Sequence, residues 1–424
     1  MIRFLFKGLL RDRQRSLLPI IIVASGVFLT VFLHSWLTGV MQDGIELNAR
    51  FITGHMKIMT RAYSLDKDQL PNDLAITGSN ELIDSLNSKF QEASWYQRIK
   101  FGGLIDVSGS NGETRAQGPV FGMGIDLLSG NRDEIKRLNL ETSVITGHLP
   151  GKTGEILISN EFAHKLKVKV GDKITLIGST MNGAMAMFNF TIAGTIEFGT
   201  STLDRGTILT DLKDAQAALD MEDACSEIVG YQKSGYYEDE LASGIEDCFN
   251  GLYSKKDDEF SPVMTRLSED NQMAQLLAYS GKFSGIMIAV FILAMSVVLW
   301  NAGLLGGLRR YGEFGLRLAM GESKGQIYRS QFYEAVMVGI LGTILGTTLG
   351  LAASWYVETY GINLGGIMKN ATMMFPSTFH ARITQAAFYI GFIPGLVSTV
   401  LGTMLSGIGI YKRKTSQLFK ELEA

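Results

Sequence analysis

Four stretches of this 424-residue chain contain no Asp, Glu, Lys or Arg: Leu17 to Val40, Phe283 to Leu305, Ala335 to Val357 and Ile383 to Tyr411. About 20 helical residues cross the hydrocarbon of a bilayer, and a charge at its centre costs about 2.5 to 3.5 kcal/mol. In a chain that is 19% charged, runs of this length are the mark of membrane helices. A hydrophobic content of 46%, glycine without a period and no sustained heptads exclude collagen, coiled coil and wholesale disorder. A net charge of -3 excludes a strongly basic nucleic-acid binder.

The flanking charges give an orientation. Arg3, Lys7, Arg11, Arg13 and Arg15 precede the first run, Arg309, Arg310, Arg317, Lys324 and Arg329 separate the second from the third, and Lys412, Arg413, Lys414 and Lys420 follow the fourth. Those segments together carry a net +8, which marks them as cytoplasmic by the positive-inside rule. The segment from Met41 to Lys282 is net -12 and falls on the opposite side, with a short loop from Glu358 to Arg382. Long acidic domains translocate largely regardless of charge. The first run exceeds a signal-peptide h-region and lacks a small-x-small exit, so it reads as an uncleaved anchor. Residues 1–16 put Arg3, Lys7 and Arg11 on one helical stripe, which predicts an amphipathic helix on the inner leaflet.

The segment at 41–282 reads as an α+β domain, with two subdomains expected. Glu155 to Ser159, Lys173 to Ile177 and Phe188 to Phe198 have strand patterns; Asn80 to Glu92, Asn160 to Lys167, Leu212 to Leu219 and Tyr237 to Leu252 have helical ones. Gly147 to Thr153 imitates a phosphate-binding loop, but it has three residues where that loop needs four and it leads into a strand. His34, His55, His148, His164 and His380 have no metal-site spacing, and no G-x-S-x-G nucleophile elbow occurs. No metal site or catalytic constellation is expected. Cys225 and Cys248 lie in a segment where oxidation is possible, and if the intervening helix runs back along its strand they meet. A disulfide and two buried thiols are equally compatible with that spacing.

The third run carries Gly339, Gly342, Gly346 and Gly350 at spacings of three and four, a stripe that lets another helix approach closely. Either this chain's own helices or a partner chain across a dimer interface can fill it. No span holds an ionisable pair or an acidic relay residue of the kind an ion-coupled transporter uses. The energy source is therefore expected outside the chain. Residues 306–334 form a short charged elbow: Phe314, Leu316 and Leu318 alternate with polar groups, Gly321 breaks the element, and a helix restarts from Ser323. Such an elbow suits docking on a soluble protein.

These residues resemble the signature of the FtsX and MacB superfamily of ABC-transporter permeases: Arg309, Arg310, Glu313-Phe314-Gly315, Leu316-Arg317-Leu318, Ala319-Met320-Gly321 and Glu334-Ala335. Gly147-His148-Leu149-Pro150, Gly154 to Ser159 and Leu166 to Asp172 resemble a stretch of the family's outer domain, and Thr53 to Ile58 and Ala215 to Met221 look most like its lipoprotein-releasing (Lol-type) members. The family's usual ending is replaced by Ile410 to Ser416.

The resemblance implies four transmembrane α-helices (1+3), at 17–40, 283–305, 335–357 and 383–411, with a large extracytoplasmic α+β domain at 41–282 between the first two. It implies a cytoplasmic coupling helix at 306–334, a short outer loop at 358–382 and a cytoplasmic tail at 412–424 in a cell inner-membrane protein. Arg309, Arg310, Glu313, Phe314, Gly315, Leu316, Arg317, Leu318, Gly321 and Glu334 would seat on a separate dimeric ABC ATPase. That ATPase, not this non-catalytic chain, would bind ATP and Mg. A second permease chain, identical or homologous, a lipoprotein or other amphiphilic cargo, and a periplasmic chaperone or adaptor complete the implied partners, with no nucleic acid. ATP-driven closure would be relayed to the outer domain, a mechanism called mechanotransmission. A MacB-like efflux or peptide-resistance permease and an FtsX-like regulator of cell-wall hydrolases are the alternatives within the same superfamily.

Overall fold

The computed structural model describes residues 13–109, 113–198, 201–308, 311–363 and 378–412. In chain order, its main helices are α1 (Arg13–Asn48), α2 (Ser79–Lys89), α3 (Asn160–Leu166), α4 (Leu212–Leu219), α5 (Asp239–Tyr253), α6 (Asn271–Leu308), α7 (Tyr311–Ala319), α8 (Lys324–Tyr360) and α9 (Thr399–Lys412). The chain divides into two compact units, one of residues 44–277 and one of the described residues outside that range.

The 44–277 unit is built on one ten-stranded sheet. Its strands are β1 (Met56–Thr60), β3 (Ala93–Ser108), β4 (Thr114–Ile125), β5 (Val144–Gly147), β6 (Glu155–Ser159), β7 (Lys173–Ser179), β8 (Met185–Ile196), β9 (Thr207–Asp211), β11 (Glu227–Gln232) and β12 (Pro262–Arg266); β2 (Ile76–Thr77) and β10 (Ala224–Cys225) form a separate pair. The order is β12-β1-β11-β3-β4-β9-β6-β8-β5, and β7 pairs with both β3 and β8. That last pairing closes β3-β4-β9-β6-β8-β7 into a ring, which removes the free edges of those six strands. The sixteen-residue β3 serves both parts: Ala93 to Arg98 pair with β11, and Ile99 to Ser108 pair with β4.

Local signals explain the best-defined elements here. Ser159 at the end of β6 accepts from Phe162 N–H and starts α3, which stops where Lys167 takes a left-handed φ of 55°. Asp211 at the end of β9 does the same for α4 through Lys213 N–H, and Asp220 ends that helix at φ 56°. Each cap contributes about 1 kcal/mol. The apolar faces of α2, α3, α4 and α5 meet the sheet in a core containing Leu86, Phe162, Leu219 and Phe249.

The other unit holds helices long and apolar enough to cross a membrane: Leu17–Phe51, Gly285–Gly306, Lys324–Tyr360 and Gln385–Ile408. Helices α1, α6 and α8 outrun their charge-free cores. α1 continues to Asn48 and α6 begins at Asn271, so both end inside the 44–277 unit. A charge does not stop a helix; it only sets where lipid ends. Around Pro394 the fourth segment passes through a π-helical turn, Ile393–Ser398, before α9. Proline has no N–H to give to a carbonyl one turn upstream in the helical ladder, and within the π-turn the Ser398 hydroxyl donates to the Ile393 carbonyl at 3.2 Å.

Candidate functional site

The elbow between α6 and α8 is fixed by its own sequence. α7 ends in a Schellman motif: Glu322 N–H reaches Arg317 O at 3.1 Å, Gly321 N–H reaches Leu318 O at 3.1 Å, and Gly321 has φ 98°. Two residues later Ser323 caps α8 in a capping box, accepting from Gln326 N–H while the Gln326 side chain accepts from Ser323 N–H at 3.0 Å. Arg317 Nε bonds Glu322 Oε2 at 2.7 Å across the turn. The turn angle therefore does not depend on a partner.

This geometry divides the residues expected to dock. Phe314 is 2% exposed and packs on Ile327 with Leu318 beside it, so it holds α7 to α8 and does not face outward. Leu316 is 56% exposed and Met320, one helical turn on, is 70% exposed. The outward apolar pair is Leu316 and Met320. Reading the segment with a period of two concealed Met320; the helical spacing of four exposes it. Gly315 is buried, and Glu313 and Arg317 are half-buried beside these residues. Glu334 lies further along α8, half-buried. Arg309 and Arg310 lie outside the described residues, as do residues 1–12, 364–377 and 413–424, which include most of the expected amphipathic helix and the tail.

Gly339, Gly342, Gly346 and Gly350 are all buried, and this chain's own helices fill the stripe. A Cβ built on Gly342 would lie 2.7 Å from Val23 Cβ, one on Gly346 2.7 Å from Val27 Cβ, and one on Gly350 2.9 Å from Val31 Cβ. Valines four apart on α1 thus sit over glycines four apart on α8. On Gly339 the neighbour is Leu396 at 2.9 Å, and Val27 also meets Gly391 and Gly395. At the end of α1 nearer residue 43, Arg382 N–H reaches Ser35 O at 2.9 Å and His380 N–H reaches Asp43 Oδ2 at 2.8 Å. His34 Nε2 lies 2.9 Å from Thr384 Oγ1.

In the 44–277 unit, the loop that imitates a phosphate cradle has its amides engaged. Gly151 N–H donates to Glu155 Oε2 at 2.9 Å and Gly154 N–H to Asp214 Oδ2 at 2.7 Å, so two carboxylates of the chain occupy the place of an anion. Among the described residues no cluster of His, Cys, Asp and Glu could hold a metal ion. The expected disulfide is not formed, and neither is the alternative of two buried thiols. Cys225 is a buried free thiol on β10, whereas Cys248 is a free thiol on the exposed face of α5, whose inward residues are Ala242, Ile245 and Phe249. The helix packs along β12, and Cys248 lies on its exposed face.

Among the buried charges of this unit, two groups centre on Glu227 and Arg98. Glu227 receives Lys100 at 2.7 Å and Lys57 at 3.3 Å, and Arg98 holds Glu134 at 2.7 Å with Tyr231 at 3.0 Å. Burial pushes the Glu227 carboxyl up, but Lys100 and Lys57 outweigh it and hold it well below the usual range. Burial likewise pulls the Lys100 ammonium down, only partly offset by Glu227.

Residues 285–415 match the family described as FtsX-like permease, C-terminal. The chain is similar to the lipoprotein-releasing system transmembrane protein LolC of Xylella fastidiosa strains Temecula1 and 9a5c, each 25% identical over 282 residues. Those matches cover 65% of this chain and 63% of the relatives' length. A fold comparison also pairs 52% of this chain with 92% of the periplasmic region of MacB from Actinobacillus actinomycetemcomitans, at 12% identity and a TM-score of 0.34. The family match lies over the elbow and the three apolar helical segments around it, so residues 285–415 are similar to the C-terminal part of FtsX-like permeases, and the chain is similar over about two thirds of its length to LolC proteins.

Proposed function

We propose that the chain is the permease subunit of an ABC transporter that extracts lipidated proteins from the outer leaflet of the cell inner membrane, with a separate ATPase supplying the energy. One span precedes and three follow an extracytoplasmic 44–277 unit, and both termini and the elbow are cytoplasmic. The observation that carries this reading is the elbow: a turn rigid by itself that presents Leu316 and Met320 to its surroundings in a net-basic flank. An apolar pair with charged neighbours on a short rigid helix is what a soluble partner can grip. The similarity to LolC supports the lipoprotein class of cargo.

Closure of the ATPase on nucleotide would push α7 and, through the Phe314–Ile327 contact, the base of α8. Val23, Val27 and Val31 seated on the glycines of α8 would carry that push into α1 without slack. Co-purification of the full chain with a candidate ABC ATPase from the same organism tests the reading. Replacing Leu316 and Met320 together by Glu, or reversing Glu313 to Lys, should abolish co-purification and ATPase stimulation while membrane insertion persists. Unchanged ATPase binding by both variants would remove the elbow from the account, and failure of the unaltered pair to release a triacylated lipoprotein from proteoliposomes would remove the cargo.

A further inference from the structure

Beside β5, the end strand of the sheet, the 44–277 unit has an open groove of about 360 Å³. Three local features build it. Thr146 on β5 stands opposite Thr195 on β8, so the two side chains share a face, and their hydroxyl oxygens lie 2.7 Å apart. Asn160 and His164, four apart on α3, line another wall. The left-handed turn at Lys167 then brings Val168, Lys169 and Val170 back along the same groove. That return is tied at both ends, since Val168 N–H donates to Ala163 O at 3.0 Å and Gly171 N–H donates to Ile192 O at 2.8 Å. The groove is therefore preformed.

Its polar wall can donate but carries no negative charge. No hydrogen bond or ion pair with another described residue engages the His164 imidazole, the Lys169 ammonium or the Asn160 amide group. Thr195 is 5% exposed, and its contact with Thr146 uses one of the two hydroxyl hydrogens and leaves the other to donate into the groove. Among the described residues no carboxylate lines the groove. Residues 160–173 carry four lysines against two carboxylates, within a segment that is net -12. Such a wall has nothing to neutralise a cation and can compensate an anion. Phosphate sites rest on clustered backbone N–H groups, and here the Lys169 amide is already taken by Asp172 Oδ2 at 2.9 Å. One ammonium beside one imidazole suits a single carboxylate, and Val170, 40% exposed, lies with Val168 where a hydrocarbon can rest. We propose that this groove binds a small aliphatic carboxylate, with Lys169, His164 and a threonine hydroxyl on its oxygens and Val168 and Val170 against its hydrocarbon. The site is independent of the permease reading.

The test is calorimetric titration of the full chain in nanodiscs of zwitterionic lipid, with the heat of empty nanodiscs subtracted. The probes are hexanoate, N-acetylalanylleucine and hexanamide, which keeps the hydrocarbon of hexanoate and removes its charge. Saturable binding of at least one of the two carboxylates is expected, about tenfold tighter than any binding of hexanamide. The tighter of the two identifies the source, a free short-chain acid or a peptide C-terminus, and either supports the site. Lys169→Ala and His164→Ala alter exposed side chains and should each weaken that binding, Lys169→Ala by about tenfold, while Lys256→Ala, exposed and outside the groove, should leave it unchanged. Hexanamide binding as tightly as the carboxylates overturns the proposal, and so does an affinity unchanged in Lys169→Ala or lowered equally in Lys256→Ala. The absence of heat above that of empty nanodiscs with both carboxylates overturns it as well.

Discussion

Gly346→Ala probes the packing of α1 against α8. A Cβ at Gly346 would lie 2.5 Å from Ala24 O and 2.7 Å from Val27 Cβ. The first neighbour is backbone and cannot rotate away. Restoring ordinary contact needs α1 and α8 to part by about 0.9 Å, and a gap of that size forfeits a quarter to a half of each dispersion contact along the seam. Overpacking of this kind costs about 1–3 kcal/mol, against about 1 kcal/mol gained by replacing glycine with alanine inside a helix. Gly306→Ala in α6 is the matched control, because a Cβ there meets nothing within 4 Å, and it should gain about 0.5–1 kcal/mol. The difference between the two isolates the packing cost at about 1–3 kcal/mol. Thermal unfolding of the full chain in detergent, followed by tryptophan fluorescence, should show Gly346→Ala melting below the unaltered protein and Gly306→Ala at or above it. Equal shifts in the two variants would mean that the stripe is not filled by α1.

Three further outcomes follow from the same structure. Gly39→Ala should disrupt the membrane unit more severely than Gly346→Ala, since its Cβ would fall 2.0 Å from His380 O, and the check is loss of the folded monomer peak in size exclusion. Glu227→Gln should destabilise the 44–277 unit by about 3–5 kcal/mol, read by chemical denaturation, because it leaves Lys57 and Lys100 facing each other without their shared carboxylate. Burial and a hydrogen bond that the protonated Glu246 carboxyl donates to Glu269 raise that carboxyl to about 7, so the folded state holds a proton between pH 4.5 and 7 that the unfolded chain has released. Stability from this group falls as pH rises through that window, and Glu246→Gln should raise the melting temperature more at pH 8 than at pH 5.

What was legible in the sequence is what is decided locally. β6 and α4 fall where their patterns place them, and α4 carries its own start and stop in the capping Asp211 and the left-handed Asp220. The elbow's break at Gly321 and restart at Ser323 were legible for the same reason. The long β3–β4 hairpin was not, since glycines at 102, 103, 118, 122 and 124 interrupt its alternation; Gly122, for one, is required by the Phe101 ring, which would lie 2.0 Å from a Cβ there. Closure of the ring through β7 depends on strands some seventy residues apart and leaves no local trace. The face of Cys248 and the inward turn of Phe314 depend on helical register against a partner element, which spacing alone does not supply.

The account's central claim is that force enters at the elbow on one side of the membrane and is used by the 44–277 unit on the other. Single cysteines at Met320 and at Met185, which is exposed on β8, placed in a Cys248→Ser background and labelled with an impermeant maleimide, test it directly. The account predicts that Met185→Cys reacts in spheroplasts and Met320→Cys only in inside-out vesicles. Labelling of both from the same side would contradict it.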